Sequence, residues 1–360
     1  MPPTEAGLYL QDGARPDPDF RLTDLDELRR LAGAADLPVE RRLEAFEDIF
    51  DSEVGDTHFG RARNFERELN LRQLFLKFEG GNPTGTQKDR IAFAQTRDAL
   101  RRGFDTITVA TCGNYGAAVA LAASIAGLRC LIYIPEGYHT RRLEEMTRHR
   151  AEIIRFPGDY EGTVQASRER AERDDFYDAN PGGANTDLQL DAYGEIANEI
   201  YDELRDAPAV VAVPASNGTT LAGIHKGFVR LYRRGKTSRV PRIVAGSAAH
   251  KNPIVRSFVR GLPRCVDLDP ARVRETAINE PLINWHSYDG DHALDALRSS
   301  GGWADHVSDR AMLRLARQLA DQEGLNVLPA STAGLAVMLA RHATTPLAGD
   351  RYVAILTGRK

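Results

Sequence analysis

Gly80-Gly81-Asn82-Pro83-Thr84-Gly85-Thr86-Gln87-Lys88-Asp89-Arg90 follows the apolar run Leu74-Phe75-Leu76-Lys77-Phe78 and precedes Ile91-Ala92-Phe93-Ala94, after which apolar positions continue at helical spacing. This order predicts a strand, a glycine-rich turn and a helix, with one lysine delivered to the helix start. Lysine is scarce in the chain: only six of the 47 basic residues are lysine. A lysine kept in a Gly/Pro/Thr setting points to a need for an amine rather than for charge. An amine can lose its proton and form a Schiff base; a guanidinium cannot.

Upstream, Thr23-Asp24-Leu25-Asp26-Glu27-Leu28 reads as a helix start with acidic residues in its first turn, so residues 1 to about 50 are expected to form a helical arm packed on the main body or on another subunit. Downstream, a helix to Arg102 ends at Gly103, and Thr106–Ala110 reads as a strand. Thr111-Cys112-Gly113-Asn114-Tyr115-Gly116 then opens an alanine-rich helix. Leu131–Pro135 reads as a strand, Leu143–Arg150 as a helix, Glu152–Phe156 as a strand and Glu161–Arg173 as a helix. The second half repeats the alternation: helix Gly194–Leu204, the apolar strand Ala209–Pro214, the turn Ala215–Thr220, a helix from Leu221 and the strand Ile243–Gly246. Residues 260–305 read as irregular, Ser308–Glu323 as an amphipathic helix, Pro329-Ala330-Ser331-Thr332 as a helix opening and Tyr352–Leu356 as a closing strand. Strand–helix alternation with short links predicts an α/β fold of two lobes, each an open, mostly parallel sheet with helices on both faces. The expected division is 1–91 as an arm and the start of a large domain, 92–190 as a small mobile α/β domain, and 191–360 as the remainder of the large domain.

A length of 360 residues allows two lobes, and 42% hydrophobic with 27% charged residues is ordinary for a globular chain. The net charge of −4 gives no reason to expect a nucleic-acid or membrane-surface partner. No apolar run approaches the roughly 20 residues of a membrane span. Met1-Pro2-Pro3-Thr4-Glu5 shows no basic region leading into an apolar core, which predicts a cytoplasmic protein. Cys112, Cys130 and Cys265 are far apart, so no metal site is expected from them.

Four polar loops stand at the C-terminal ends of expected strands, where open α/β sheets bind ligands: the Lys88 loop, Thr111–Asn114, Ser216–Thr220 and Thr357. Any one of them could serve only to cap the next helix; all four together point to a site. Ser216-Asn217-Gly218-Thr219-Thr220 combines hydroxyls with helix-terminal N–H groups, a cradle for phosphate without Lys or Arg. Thr111-Cys112-Gly113-Asn114 is a second such cradle, suited to a carboxylate. Gly113-Asn114-Tyr115-Gly116 with Glu136 lacks the Gly-x-Gly-x-x-Gly spacing of a dinucleotide site, and no Walker-type loop is present.

These segments together resemble the pyridoxal-phosphate enzymes of the tryptophan-synthase-β fold type (fold type II), threonine synthases most of all. The family's Asn-Pro-Thr-Gly-Ser-Phe-Lys-Asp-Arg segment is matched by Asn82–Arg90, its Ser-Gly-Asn loop by Thr111–Asn114, its Gly-Asn-rich phosphate loop by Ser216–Thr220 and its closing Leu-Thr-Gly by Leu356-Thr357-Gly358. The order and spacing agree from about residue 53 to the end. The resemblance implies that Lys88 holds pyridoxal 5'-phosphate as a Schiff base and, once released, moves protons at the substrate α-carbon. It implies that Asn114 bonds the ring 3′-oxygen, that Ser216, Asn217, Gly218, Thr219 and Thr220 hold the phosphate, and that Thr357 faces the pyridine nitrogen. A hydroxyl at that nitrogen gives a weaker electron sink than a carboxylate, which favours elimination and replacement over transamination. Thr111, Cys112, Gly113 and Asn114 are expected to take the substrate carboxylate, with Gln87 beside them.

The chain departs from the family's usual residues at Gln87, Cys112, Leu328 and His58. Gln87, Cys112 and Leu328 fall in motif regions that could border the pocket, where they would mark either a changed substrate or family drift. The implied activity is a lyase or synthase on a small, possibly phosphorylated amino acid. Its leading form is the threonine synthase reaction, O-phosphohomoserine plus water giving threonine and phosphate. Alternatives are β-replacement of the cysteate- or cysteine-synthase type on O-phosphoserine or a similar donor, a threonine or serine dehydratase, and a catalytically silent partner subunit. A homodimer is implied by resemblance alone.

Overall fold

The computed structural model describes residues 24–111, 113–348 and 350–360. Among these residues two sheets form. The larger contains β1 (His58–Arg61), β2 (Leu74–Phe78), β7 (Val210–Pro214), β8 (Arg242–Ala248), β9 (Trp303–Val307) and β10 (Tyr352–Leu356), in the order β1-β2-β10-β7-β8-β9. Only β1 runs antiparallel to its neighbour. The smaller sheet, β5-β4-β3-β6, is parallel throughout and contains β3 (Thr106–Ala110), β4 (Arg129–Pro135), β5 (Glu152–Phe156) and β6 (Tyr177–Asp178).

The near-continuous apolar strands follow from burial on both faces. Along β7, Val211 and Val213 enter one core with Ile224 and Phe228 of helix Thr219–Arg233. Val210 and Ala212 enter another with Met312 and Leu315 of helix Asp309–Glu323 and Leu335 and Met338 of helix Ala333–Thr344. The smaller sheet divides the same way. Ile107, Val109, Ile132 and Ile134 join the first core, while Leu131 and Tyr133 pack with Val164 of helix Tyr160–Asp174. The first core therefore lies between the two sheets. Helix Lys88–Arg101 runs through it, packed on helices Val39–Glu53, Asn114–Ile125 and Thr186–Leu204.

The expected helix start at Asp24 is present: its carboxylate accepts from the Asp26 and Glu27 N–H groups. Of the expected arm, residues 1–23 lie outside the described residues; the part from Asp24 onward packs on the body, where Phe46 stacks on Phe93 with ring centroids 5.6 Å apart. Three expectations need correction. The helix expected at Gly194 begins at Thr186, because the buried Gln189, Leu190 and Tyr193 continue its inward stripe through polar neighbours. The stretch 260–305 is not irregular throughout. It contains helix Gly290–Ser299 and β9, whose mixed burial is that of an edge strand. The polar stretch from Gly55 to Asn70, whose sequence reads only as a link into the Leu74–Phe78 strand, contains the opposite edge strand, His58–Arg61. No helix among the described residues is long and apolar enough to cross a membrane.

Candidate active site

The turn that delivers Lys88 is held from three directions. Behind it, the Arg90 guanidinium donates to Glu79 at 2.6 and 2.9 Å and to Glu199 at 2.6 and 2.9 Å. Lys77 pairs with Glu199 and donates to the Thr57 carbonyl at 2.6 Å. Within the turn, the Thr84 N–H and hydroxyl donate to Asp89 at 2.9 and 2.8 Å. At its far end the turn is stitched to the tail after β10: Gln87 N–H donates to the Thr357 carbonyl at 3.0 Å, and Arg359 N–H to the Gly85 carbonyl at 2.9 Å. Gly85 sits at φ +86, a left-handed conformation that favours glycine.

Lys88 then opens its helix with its amine bordering a cavity of about 540 Å³. The rings of Tyr115 and Tyr193 lie 5.6 and 5.9 Å from Nζ. The side chain keeps some exposure toward the cavity, yet protein crowds the amine. Burial lowers its pKa to about 8, against the opposing pull of Asp289. A substantial fraction of this amine is therefore neutral near physiological pH.

At the end of β7 the carbonyls are all occupied. Ala215 accepts from Ser247 Oγ at 2.6 Å, Ser216 from Asn252 at 3.0 Å, Asn217 from the Asp289 N–H at 3.2 Å and Gly218 from Ala222 N–H at 2.9 Å. What the loop presents to the cavity is the donor end of helix Thr219–Arg233. Gly218 stands at φ +96, and a Cβ there would lie 2.8 Å from Ala293 Cβ and 2.9 Å from the Asp289 carbonyl. The Thr219 hydroxyl donates to the buried Asp289 carboxylate, so Thr219 offers an anion its N–H rather than its hydroxyl.

At the end of β3, Thr111, Gly113 and Asn114 line the same cavity; Cys112 lies outside the described residues. Asn114 Oδ1 accepts from Arg142 at 2.8 Å, which leaves its amide nitrogen to donate. Arg142 also donates to the Thr84 carbonyl at 3.0 Å, tying this loop to the Lys88 turn. Thr357 lines the cavity beside Ser331, their hydroxyl oxygens 3.1 Å apart. Gln87 and Leu328, two of the unusual residues, line it as well.

The structure thus brings Gln87, Lys88, Thr111, Gly113, Asn114, Ser216, Asn217, Gly218, Thr219, Thr220 and Thr357 to one cavity. Sequence reasoning missed Arg142, Asp289, Glu280 and the Ser331 partner of Thr357. The first three come from irregular segments with no motif spacing to single them out. No group of residues able to hold a metal ion occurs among the described residues.

A family model described as pyridoxal-phosphate dependent enzyme matches residues 50–358. Threonine synthase of Methanocaldococcus jannaschii is 30% identical over 284 residues, 78% of this chain and 68% of that protein. Threonine synthase of Bacillus sp. strain ULM1 is 31% identical over 306 residues, 84% of this chain and 82% of that protein. Among solved structures, a T.th. threonine deaminase aligns with a TM-score of 0.72 at 20% identity, covering 88% of this chain and 96% of that one. Maize serine racemase aligns with a TM-score of 0.71, also at 20% identity, covering 88% and 93%. These structural likenesses establish the fold.

Proposed function

The chain belongs to the pyridoxal-phosphate-dependent enzyme family, a lyase of fold type II, and we propose that it eliminates or replaces a group on the β- or γ-carbon of a small amino acid. The observation that carries this reading is the convergence of Lys88, Asn114, Ser216–Thr220 and Thr357 on one cavity.

The residues present fit the cofactor. A crowded amine with a lowered pKa stands on one side, and a helix terminus with no room for a side chain at Gly218 offers backbone donors to a phosphate. Lys88 would carry the cofactor, Ser216–Thr220 its phosphate, Asn114 its ring oxygen and Thr357 its ring nitrogen. When bound, pyridoxal phosphate supplies an electron sink for the pair left at the substrate α-carbon. The chain's own part is positioning and proton transfer. With its pKa near 8, the Lys88 amine can take the α-proton and return it as an ammonium. Asn114, fixed by Arg142, presents its amide as a donor. Thr357, paired with Ser331, presents a neutral hydroxyl rather than a carboxylate, which favours elimination and replacement. Thr111, Gly113 and Asn114, with Cys112 between them in sequence, would receive the substrate carboxylate, and Gln87 the group beyond it. Residues 92–190 would move as a small domain. The Tyr138 hydroxyl, which donates to Glu280 at 2.5 Å from after β4, supports a contact made on closure. The homodimer belongs to the same reading.

The relatives favour threonine synthase as the specific reaction: O-phosphohomoserine plus water gives threonine and phosphate. That substrate needs an anion site beyond the one for the cofactor, and Lys88 is the only lysine or arginine among the lining residues described. This observation favours a second reading, β-replacement or dehydration on an unphosphorylated donor. The test is turnover by cofactor-loaded protein of O-phosphohomoserine, O-phosphoserine, serine and threonine, followed by phosphate release and oxo-acid formation. Turnover of at least one, abolished in Lys88→Ala, supports the reading; inert loaded protein with all four overturns it.

A further inference from the structure

Away from Lys88 and the phosphate cradle, the cavity wall is acidic. Asp159, Glu161, Glu275 and Glu280 line it, and no arginine does among the described residues. Three guanidiniums on the segments around Tyr138 and Glu161 are tied up. Arg142 serves Asn114, Thr84 and Glu145; Arg155 donates to the Pro135 and Tyr138 carbonyls at 3.3 and 2.6 Å; Arg168 donates to the Pro181 carbonyl and pairs with Asp178.

Two of the four carboxyls are placed to meet a ligand. Glu280 Oε1 accepts from the Tyr138 hydroxyl at 2.5 Å and lies 4.0 Å from where a side chain on Gly113 would begin, so this carboxyl faces the loop expected to hold the substrate. Glu161 stands on the first turn of helix Tyr160–Asp174, beside the lining residue Trp285. Burial raises both carboxyls, Glu161 to about 7, so each gains from a cation brought into the cavity. Asp159 caps its helix by accepting from the Gly162 N–H at 2.9 Å, and Glu275 lies on an exposed segment, so these two add background charge.

Building on the second reading above, that of an unphosphorylated donor, we propose that this wall selects an amino group on the ligand and disfavours a phosphate, with Glu161 and Glu280 as the specificity-determining residues. A phosphate here would meet acidic side chains with no guanidinium among the described lining residues to neutralise it; an ammonium would meet two carboxyls. The amino group belongs either to the side chain of the substrate or to the second reactant of a replacement. The shared chemistry is the ammonium.

The test uses cofactor-loaded protein and reads binding by titration calorimetry, with turnover measured alongside. The probes are 2,3-diaminopropionate and 2,4-diaminobutyrate against alanine, homoserine, O-phosphoserine and O-phosphohomoserine. If the amine is the substrate's own, the diamino acids bind tighter than their neutral counterparts. Glu161→Gln and Glu280→Gln each then cost about tenfold or more for the diamino acids, and far less for alanine. If the amine belongs to the second reactant, the diamino acids show no advantage. Ethylamine then binds to the alanine-saturated enzyme, and each variant weakens it by a similar factor. Tighter binding or turnover of the phosphorylated amino acids by coloured, loaded protein overturns this proposal and leaves the cofactor reading standing. Equal effects of the variants on all probes also overturn it. Protein that takes up no cofactor instead fails the reading beneath it.

Discussion

Replacing Arg90 with methionine removes the cation that holds the Lys88 turn from behind. Four short N–H···O bonds to Glu79 and Glu199 disappear. Glu199 keeps Lys77 as a counter-ion, and Glu79 keeps the Thr57 hydroxyl at 2.7 Å and the Asn82 amide at 3.1 Å. One buried carboxylate, not two, is therefore left without a cation. The cost expected is that of one broken buried pair, about 3–5 kcal/mol. The pH dependence has a definite sign. Burial would raise the Glu199 carboxyl, but Arg90 and Lys77 outweigh it and hold its pKa at about 2. A carboxyl depressed in the fold stabilises it above the unfolded value of about 4.3 and loses that contribution as pH falls toward 2. The variant lacks most of this contribution, so the gap between the two proteins stays nearly constant from pH 7 to about 5 and narrows by pH 3. Urea unfolding across this pH range measures it. A gap below about 1 kcal/mol at pH 7, or one that does not change with pH, refutes the reasoning.

Gly218→Ala forces a left-handed residue to carry a Cβ against Ala293 and the Asp289 carbonyl; a backbone penalty of about 1–2 kcal/mol plus the overlap should show as loss of cofactor on dialysis, and full retention would contradict it. Arg142→Gln frees Asn114 Oδ1 and cuts the link to Thr84; cofactor affinity should fall about tenfold with the circular dichroism spectrum unchanged, and unaltered affinity would show that Arg142 does not position Asn114. Burial keeps the Lys88 ammonium unfavourable in the fold, so the rate of cofactor uptake by the apoprotein should rise with pH to half its maximum near pH 8; a midpoint near the 10.5 of a free lysine would contradict the crowding of Nζ.

The strands that decided the fold were legible because they are short runs dominated by apolar and β-branched residues. Leu74–Phe78, Thr106–Ala110, Glu152–Phe156 and Tyr352–Leu356 have the bounds their sequence predicts. The strands that escaped notice are those whose identity comes from a neighbour. His58–Arg61 and Trp303–Val307 are half-exposed edges, and Tyr177–Asp178 pairs over only two residues. The site divides the same way. Loops at strand ends announce themselves through Gly, Asn, Ser and Thr, so Lys88, Asn114, Ser216–Thr220 and Thr357 could be picked out. Arg142, Glu280 and Asp289 act only because folding carries them to those loops, and one cation or carboxylate among many has no local mark. The acidic wall was invisible for the same reason. The sequence has arginines enough for a phosphate, but none is among the described lining residues, and Arg142, Arg155 and Arg168 are committed to carbonyls and carboxylates.

The most direct test is to locate the cofactor chemically. Protein incubated with pyridoxal phosphate, reduced with borohydride and digested should carry the cofactor on the peptide containing Lys88, and the visible absorption band should be absent in Lys88→Ala. Labelling of any of the other five lysines in preference to Lys88, or of none, would contradict the assignment on which the whole site is built.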